Sequence, residues 1–401
     1  MLNRVVITGI GVISPFGVGK TILFENLIAS KVALKFKEAL KTVVGCIPEG
    51  NEVVELNLNR WSKGERRQMG RGSLLALVTA EEAIEDSGLD EKDLEEMGVD
   101  IGMGIADLEL IAESANLIRD GKSHKVTPYF VPRILTNIPA GHVSIRYGMR
   151  GPNLSACTAC ATGLHAIGDA ATFIAMGRAK KMLAGAVEAC VNPIAITAFQ
   201  RMRALSPSGS RPFDSSRNGF ILSEGAALVT LETLEDAQKR NAHIYAEIKG
   251  YGCAGDAYHL TLPTKDGTGG RLSMERCLKD ARMNASQITY VNAHATSTPA
   301  GDSAEAHAIA TLMPGVAVSS IKGHIGHTLG AAGAIEIAAT AMCIDQNVIV
   351  GNVNLNETDI DENIDLLRSA TDWKADHGNR IALVNSFGFG GPHGTICLSS
   401  N

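Results

Sequence analysis

The segment Gly151-Pro152-Asn153-Leu154-Ser155-Ala156-Cys157-Thr158-Ala159-Cys160-Ala161-Thr162-Gly163 runs from a loop through a short apolar stretch into an alanine-rich helical run over 164–178. Few charges interrupt that run, the pattern of a helix buried on most sides. The same kind of unit returns later. A strand-like stretch at 316–321 leads through Lys322-Gly323-His324-Ile325-Gly326-His327 into a second alanine-rich helix over 331–346. Further β-branched runs at 4–13, 181–187, 244–250, 288–293 and 381–386 alternate with helical stretches such as 72–87. That alternation implies α/β layers.

A charged helix is expected over 231–241 (LETLEDAQKRN), and the strand after it ends in Gly250-Tyr251-Gly252. We therefore divide the chain into 1–250 and 251–401. Each half holds a strand, a glycine-containing turn and a buried alanine-rich helix, so a duplicated architecture is expected. No Pro/Gly/Ser-rich linker separates the halves, which should pack as one body.

With 401 residues, 45% of them hydrophobic and 20% charged, and with 42 glycines, the chain has the composition of a large globular protein with many tight turns. Aromatics make up 4%, so small aliphatics must fill the core. The most apolar long stretch, 333–350, contains Glu336 and Asp345 and falls short of a membrane span. No membrane partner is expected. The first strand begins at once, with neither a signal segment nor an amphipathic leader, so the expected compartment is a bacterial cytoplasm or, after removal of a leader, an organellar matrix (mitochondrion or plastid). Eight scattered cysteines fit a reducing compartment better than a disulfide scaffold. A net charge of −6 argues against nucleic acid as a partner, and an acidic partner would need a local basic patch.

Several motifs fail. Gly17-Val18-Gly19-Lys20-Thr21 lacks the leading glycine of a phosphate loop, where Ser14 stands. Gly9-Ile10-Gly11 begins a dinucleotide fingerprint that Ser14 again breaks, and reads as a tight turn after the first strand. Cys157-Thr158-Ala159-Cys160 has redox or zinc spacing; the lack of a second ligand pair argues against zinc, while a redox pair stays open as a minor alternative.

What remains carries chemistry. Cys160 is expected at a helix N-terminus, where free amides and the dipole favour thiolate. Its small neighbours leave room for a substrate. A lone cysteine in an apolar run is ordinarily inert core, but two histidines accompany this one. His294 follows a strand in Val291-Asn292-Ala293-His294-Ala295-Thr296-Ser297-Thr298, and His327 precedes the second alanine-rich helix. The turn Asn385-Ser386-Phe387-Gly388-Phe389-Gly390-Gly391 offers backbone amides that could complete an oxyanion hole.

Together these segments make the sequence closely resemble the β-ketoacyl-acyl-carrier-protein synthases of the Cys-His-His type, in the thiolase-like superfamily. The resemblance runs over essentially the whole chain. It rests on VVITGIG (5–11), TACATG (158–163), Arg203-Ala204-Leu205-Ser206, Arg211-Pro212-Phe213-Asp214, Glu224-Gly225-Ala226, NAHATSTPAGD (292–302), GHTLGAAG (326–333) and NSFGFGG (385–391). It implies a thiolase-like duplicated α-β-α-β-α five-layered fold, with the nucleophile in the first half and both histidines in the second, assembled as a homodimer. It further implies that Cys160 takes an acyl group from acyl carrier protein and that malonyl carrier protein then loses CO₂ and attacks the thioester, elongating a fatty acid.

In that resemblance His294 and His327 match the histidines that polarise the malonyl thioester, and Lys322 a lysine that organises the site. The amides of Cys160 and Phe389 match the oxyanion hole, and Phe389 a gating aromatic. Thr296 and Thr298 match residues that bond the phosphopantetheine arm. Ile105 borders the acyl pocket, with Phe199 and Phe387 as further substrate-binding positions. Lys63, Arg66, Arg67 and Arg71, joined by Lys125 and Arg203, match a docking surface for the acidic carrier protein. Asn292, Glu336 and Asn385 resemble a monovalent-cation site. No other cofactor is implied, since phosphopantetheine arrives on the carrier.

The chain also departs from the family pattern. The usual GFGGTN reads Gly388-Phe389-Gly390-Gly391-Pro392-His393, which stiffens the backbone after the gate and removes a side-chain amide. Asn218 stands for an aspartate, Ser223 for a glycine, and Cys157 lies unusually close to the nucleophile. Thiolases carry a second cysteine where Phe387-Gly388-Phe389 stands, and chain-initiating enzymes carry Asn where His327 stands. A polyketide ketosynthase with the same triad, or a non-catalytic scaffold that binds the carrier protein, are the alternatives.

Overall fold

The first strand, β1 (Val5–Ser14), is buried along its entire length, as a strand covered on both faces must be. The structure, a computed structural model, describes residues 2–49, 56, 58–373 and 379–401. From β1 the first half adds β2 (Gly98–Met103), β3 (Asn153–Leu154), β4 (Lys181–Glu188) and β5 (Gly225–Thr233). The second half adds β6 (Ala246–Gly255), β7 (Tyr290–Asn292), β8 (Ala317–Ser319), β9 (Asp365–Leu366), β10 (Ile381–Phe387) and β11 (Pro392–Ser399).

Sheet order exposes the duplication. The first half runs β3-β2-β4-β5-β1, and the second runs β8-β7-β10-β11-β6 with β9 added outside β8. Counted within each half, both orders are third, second, fourth, fifth, first. The first three strands of each order pair in parallel and the remaining steps are antiparallel. The two halves join where β1 pairs antiparallel with β6, through Val5 to Ile248 and Ile7 to Ala246.

Helices supply the other layers. Helix α1 (Arg71–Ser87) packs on β1, β5 and β4, and α2 (Thr162–Ala175) lies beneath β4 and β2. Helix α3 (Thr268–Ala281) covers β6 and β11, while α4 (Ala332–Gln346) touches β5 of the first sheet, β10 of the second, and α2. The result is α1, sheet, the α2/α4 pair, sheet, α3, which is the expected five-layered α/β arrangement. Both central helices carry an apolar surface on almost every side, as helices between two sheets require.

Three readings of the sequence change. Gly9 and Gly11 form no turn but lie inside β1, where they let α1 approach. A β-carbon on Gly11 would stand 2.0 Å from the Thr79 carbonyl oxygen, and one on Gly9 would stand 2.2 Å from that of Ala83. Gly11→Ala is therefore expected to push α1 outward and destabilise by about 2–3 kcal/mol. Urea unfolding checks this, and an unchanged midpoint would refute it. The charged helix is shorter than expected, Leu234–Lys239, because 231–233 complete β5. A division at 250 cuts through β6, and the second half of the repeat opens at Ala246. Among the described residues no helix is long and apolar enough to cross a membrane.

Candidate active site

The two alanine-rich helices bring the site together because their backbones nearly touch. A β-carbon on Gly163 would lie 2.8 Å from that of Ala334, and one on Gly333 would lie 2.7 Å from that of Leu164. Each helix is entered by the same device. Ala159–Ala161 form a 3-10 turn ahead of α2, with Ala159 at φ 52°, and Leu329–Ala331 form one ahead of α4, with Leu329 at φ 44°. Left-handed backbone at residues bearing a β-carbon is strained and persists where the surroundings enforce it. Here Thr162 Oγ1 accepts from the Thr158 amide at 2.8 Å and donates to the Ala159 carbonyl at 2.7 Å, and Ser386 Oγ donates to the Cys160 carbonyl at 2.9 Å. Cys160 and Gly330 thus occupy equivalent positions, a repeat legible as ACATG against LGAAG.

The helix start assigned to Cys160 is thus a preceding 3-10 turn, and its electrostatics differ from expectation. Burial pushes the thiol up to about 12, with Glu188 acting in the same direction. Lys322 and the backbone amides of Phe389 and of Cys160 itself pull it down without reversing that. In the resting site the sulfur is a thiol. Alkylation of Cys160 by iodoacetamide, followed in a Cys157→Ser background, is expected to quicken about tenfold per pH unit from 7 to 9 without a plateau. A plateau below pH 9 would contradict it. All eight cysteines are free, Cys157 exposed and Cys160 buried.

His294 and His327 face each other with ring centroids 5.3 Å apart and planes at 82°. Phe387 packs on His294 at 5.6 Å and Phe220 on His327 at 5.3 Å, edge-on. Neither Nδ1 has a hydrogen-bond partner, and both are buried. Burial holds both imidazoles well below their ordinary value, and the Lys322 charge adds to it. They are neutral at physiological pH and each keeps a ring N–H to offer a substrate.

Lys322 is fully buried and forms an ion pair with Glu336 on α4. Lys322→Met should leave the carboxylate buried without a counter-charge, at a cost of about 3–5 kcal/mol. Adding Glu336→Leu should return most of that loss in a denaturation series, and a single variant as stable as the parent would contradict the pairing.

The remaining side chains assigned from the sequence fall on both sides of this centre. One apolar cavity of about 450 Å³ is lined by Cys160, His294, His327, Ile105, Phe199, Thr296, Thr298, Phe387 and Phe389, and its rim includes Arg203 and Asn218. Thr296 and Thr298 share a hydroxyl contact of 3.1 Å. Phe389 is 38% exposed at the mouth. Its turn is tied to the segment before it, since the Gly390 amide donates to Leu260 and the Asp256 amide to Gly391, at 2.7 and 3.0 Å. His393, at the position expected to lose a side-chain amide, packs edge-on against Phe387 at 4.7 Å and lies 3.7 Å from Asp256.

The three residues of the expected cation site do not converge equally. Asn292 Oδ1 and Glu336 Oε2 are buried without a partner. Asn385 is engaged at both ends, donating to Glu305 and accepting from Thr395. Lys63, Arg66, Arg67, Lys125 and Arg203 make no ion pair among the described residues. Arg71 corrects the basic cluster: its guanidinium grips Glu224 at 2.8 and 2.9 Å and also meets Glu49, so its charge is spent inside the fold.

Three residues escaped the sequence reading. Glu305, eleven positions beyond His294, accepts from the amides of His294 and Ala295 at 2.9 and 2.7 Å and so fixes the histidine's backbone. Glu188, at the end of β4, is fully buried near the sulfur and takes the Gly330 amide at 3.1 Å. Burial raises its carboxyl to about 8. Phe220 positions His327. A single acidic residue inside GAVEAC or SAEAH was the available signal for the two carboxylates; Phe220 had none.

A buried thiol that shares an apolar cavity with two neutral imidazoles and the Phe389 turn can hold an acyl group and stabilise negative charge beside it. Family models for the N-terminal and C-terminal domains of beta-ketoacyl synthases match residues 2–237 and 245–356. The chain belongs to the beta-ketoacyl synthase family. Its particular activity is that of a 3-oxoacyl-(acyl-carrier-protein) synthase, an acyltransferase of fatty acid elongation. Synthase 2 of that name from Rhizobium meliloti is 39% identical over 99% of both chains. The mitochondrial synthase of Arabidopsis thaliana is 37% identical over 99% of this chain and 93% of its own. Among solved structures, a beta-ketoacyl synthase from Burkholderia phymatum matches with a TM-score of 0.90 at 32% identity over the whole of both chains. A complex of a type II polyketide acyl-carrier protein with its ketosynthase matches with 0.87 at 30% identity, also over the whole of both.

Proposed function

We propose that Cys160 is the acyl-accepting nucleophile and that His294 and His327 serve the condensation. The observation that carries this is the single cavity in which the buried thiol, both histidines and the Phe389 turn meet. In the first half-reaction the Cys160 sulfur bonds to the acyl carbonyl carbon, the bond to the phosphopantetheine sulfur breaks, and the thiol proton leaves with that sulfur. The amides of Cys160 and Phe389 hold the oxyanion. In the second, the malonyl thioester loses CO₂, and N–H groups of His294 and His327 hold its carbonyl oxygen as charge develops. The resulting carbanion bonds to the acyl carbon, the bond to the Cys160 sulfur breaks, and the departing thiolate takes a proton from water to restore the thiol.

Thr296 and Thr298 would bond the phosphopantetheine arm, and Lys322, paired with Glu336, would order the second histidine's surroundings. The partner is an acyl carrier protein. Exposed Lys63, Arg67, Lys125 and Arg203 and half-buried Arg66 support docking of an acidic domain, and a related ketosynthase has been solved with its carrier. The assembly is a homodimer, supported by the open edge at β3 and by exposed Ile111, Ile118, Val131, Leu135 and Ile145 in the neighbouring segments. The free oxygens of Asn292 and Glu336 fit a monovalent cation better than they fit Asn385 as a third ligand. Bacterial and mitochondrial relatives favour a bacterial cytoplasm or an organellar matrix. Mass spectrometry of the protein after incubation with acyl carrier protein tests the central step: an acyl adduct on Cys160 supports it, and no adduct on that residue defeats it.

A further inference from the structure

A column of rings runs through the site. From His393 it passes to Phe387 at a centroid separation of 4.7 Å, to His294 at 5.6 Å, to His327 at 5.3 Å and to Phe220 at 5.3 Å. Packing of this kind carries weight here because hydrogen bonds do little to orient the two imidazoles. A histidine ring is ordinarily fixed by a hydrogen bond at the nitrogen that does not meet the substrate. Among the described residues, Nδ1 of His294 and of His327 is buried without such a partner. Glu305 holds the backbone of His294 and not its ring. The plane of the His294 ring is therefore set by its neighbours in the column, Phe387 and His327.

His393 fixes Phe387 from behind. The two are a cross-strand pair of β10 and β11, and β11 is tied on its far side to β6, with His393 opposite Ala254. The Gly388 amide donates to the Pro392 carbonyl at 2.8 Å and closes the turn next to the pair. Two glycines at the start of α3 seat the rings. A β-carbon on Gly269 would stand 2.4 Å from Cδ2 of His393, and one on Gly270 would stand 2.8 Å from Cζ of Phe387. His393 acts there as a ring rather than as a hydrogen-bonding group: both its nitrogens are buried without a partner, and Asp256 Oδ1 lies 3.7 Å from Nε2, beyond hydrogen-bond reach. Beside the pair is a cavity of about 110 Å³ whose lining includes His294, Phe387 and His393. Without the imidazole, Phe387 has that space to turn into, and His294 loses the ring that faces it.

We propose that His393 is a positioning residue for the condensation, holding the His294 ring, through its edge-on contact with Phe387, at the angle from which the N–H meets the substrate. This rests on the reading of His294 as a donor in that step. The sequence departure at this position, a histidine where the resemblance leads one to expect an amide, thereby gains a use: it extends the column by one ring. Loading of Cys160 does not employ His294 and so does not depend on His393.

The test follows Cys160 acylation and condensation separately in the full-length protein, with acyl and malonyl carrier proteins as substrates. His393→Ala should lower kcat for condensation about tenfold, the factor that loss of one edge-on ring contact allows, and leave acylation within about twofold. His393→Phe keeps the ring and should hold condensation within about threefold of the parent, whereas His393→Asn supplies an amide without a ring and should fall with His393→Ala. If the action passes through His294, adding His393→Ala to His294→Ala should cost less than about twofold more. Condensation at the parental rate in His393→Ala, acylation falling as far as condensation, or an undiminished loss on the His294→Ala background would overturn the positioning role. Should His393→Ala fail to fold, the comparison of Phe with Asn decides, and an Asn variant as active as the Phe variant overturns it. A His294→Ala protein that condenses like the parent would instead overturn the reading of His294, and the two failures are distinct.

Discussion

Cys160→Ala is expected to form no acyl-enzyme and to lose condensation by at least about ten-thousandfold, with the fold intact. The size of the effect follows from the architecture. Removing one sulfur from a position 8% exposed leaves a small gap in an already open cavity, so the stability change should stay near 1 kcal/mol, the range for losing a methyl-sized group. Nothing nearby can replace the nucleophile. Cys157 is exposed and on the far side of the Ala159 turn, its sulfur 3.8 Å from the Gly104 carbonyl. Cys190 is buried with its thiol pushed far above the ordinary range by the surrounding apolar groups. The check is twofold: intact-mass analysis for the acyl adduct, and condensation followed with malonyl carrier protein. A Cys160→Ala protein that still elongates at more than a thousandth of the parental rate would move the nucleophile elsewhere. The non-catalytic scaffold reading, which the stiffened Pro392-His393 segment invites, predicts the opposite result, in which the parent and the variant behave alike.

The sequence was most readable where one residue type has one physical use. The two buried alanine-rich helices, and a histidine after a strand, could be read directly, and the cysteine, both histidines and the Phe389 turn lie together as expected. Gly9 and Gly11 misled because a glycine admits two readings, a turn or a close approach, and only the helix packed on β1 shows which one applies. Arg71 misled for a related reason. A charge in a basic run is indistinguishable in sequence from a docking residue, and its commitment to Glu224 depends on a residue 153 positions away. The sign of the thiol's shift was not accessible either. The helix start is local and legible, whereas the burial that outweighs it comes from both halves of the chain. The duplication was expected from the repeated strand, turn and buried helix, but its full extent lies in the strand order, which only the paired sheets show.

His294→Ala and His327→Ala are expected to retain acyl loading within a few-fold while condensation falls about a hundred- to a thousandfold for each. The separation arises because, in the proposed mechanism, neither imidazole is needed to bring the thioester to the sulfur, and the oxyanion of that step is held by the amides of Cys160 and Phe389. Losses in the double variant should be far from additive, since in the proposed mechanism both rings, with centroids 5.3 Å apart, hold one oxygen. Substitution by asparagine distinguishes two ways in which a histidine could work. A neutral N–H donor is partly replaced by an amide, so His294→Asn should recover about tenfold over His294→Ala, while a base that takes a proton is not replaced at all. The pH dependence carries the same distinction. Burial and Lys322 hold both imidazoles well below 6.5, so lowering the pH from 7.5 to 6.5 leaves them neutral and should cost condensation little beyond what loading loses. Were the imidazoles of ordinary basicity, condensation alone would fall across that interval as protonation removed their neutral form. A condensation profile that declines from pH 7.5 while loading stays level would therefore reject the neutral-donor assignment, and recovery in His294→Asn that failed to appear would reject it independently.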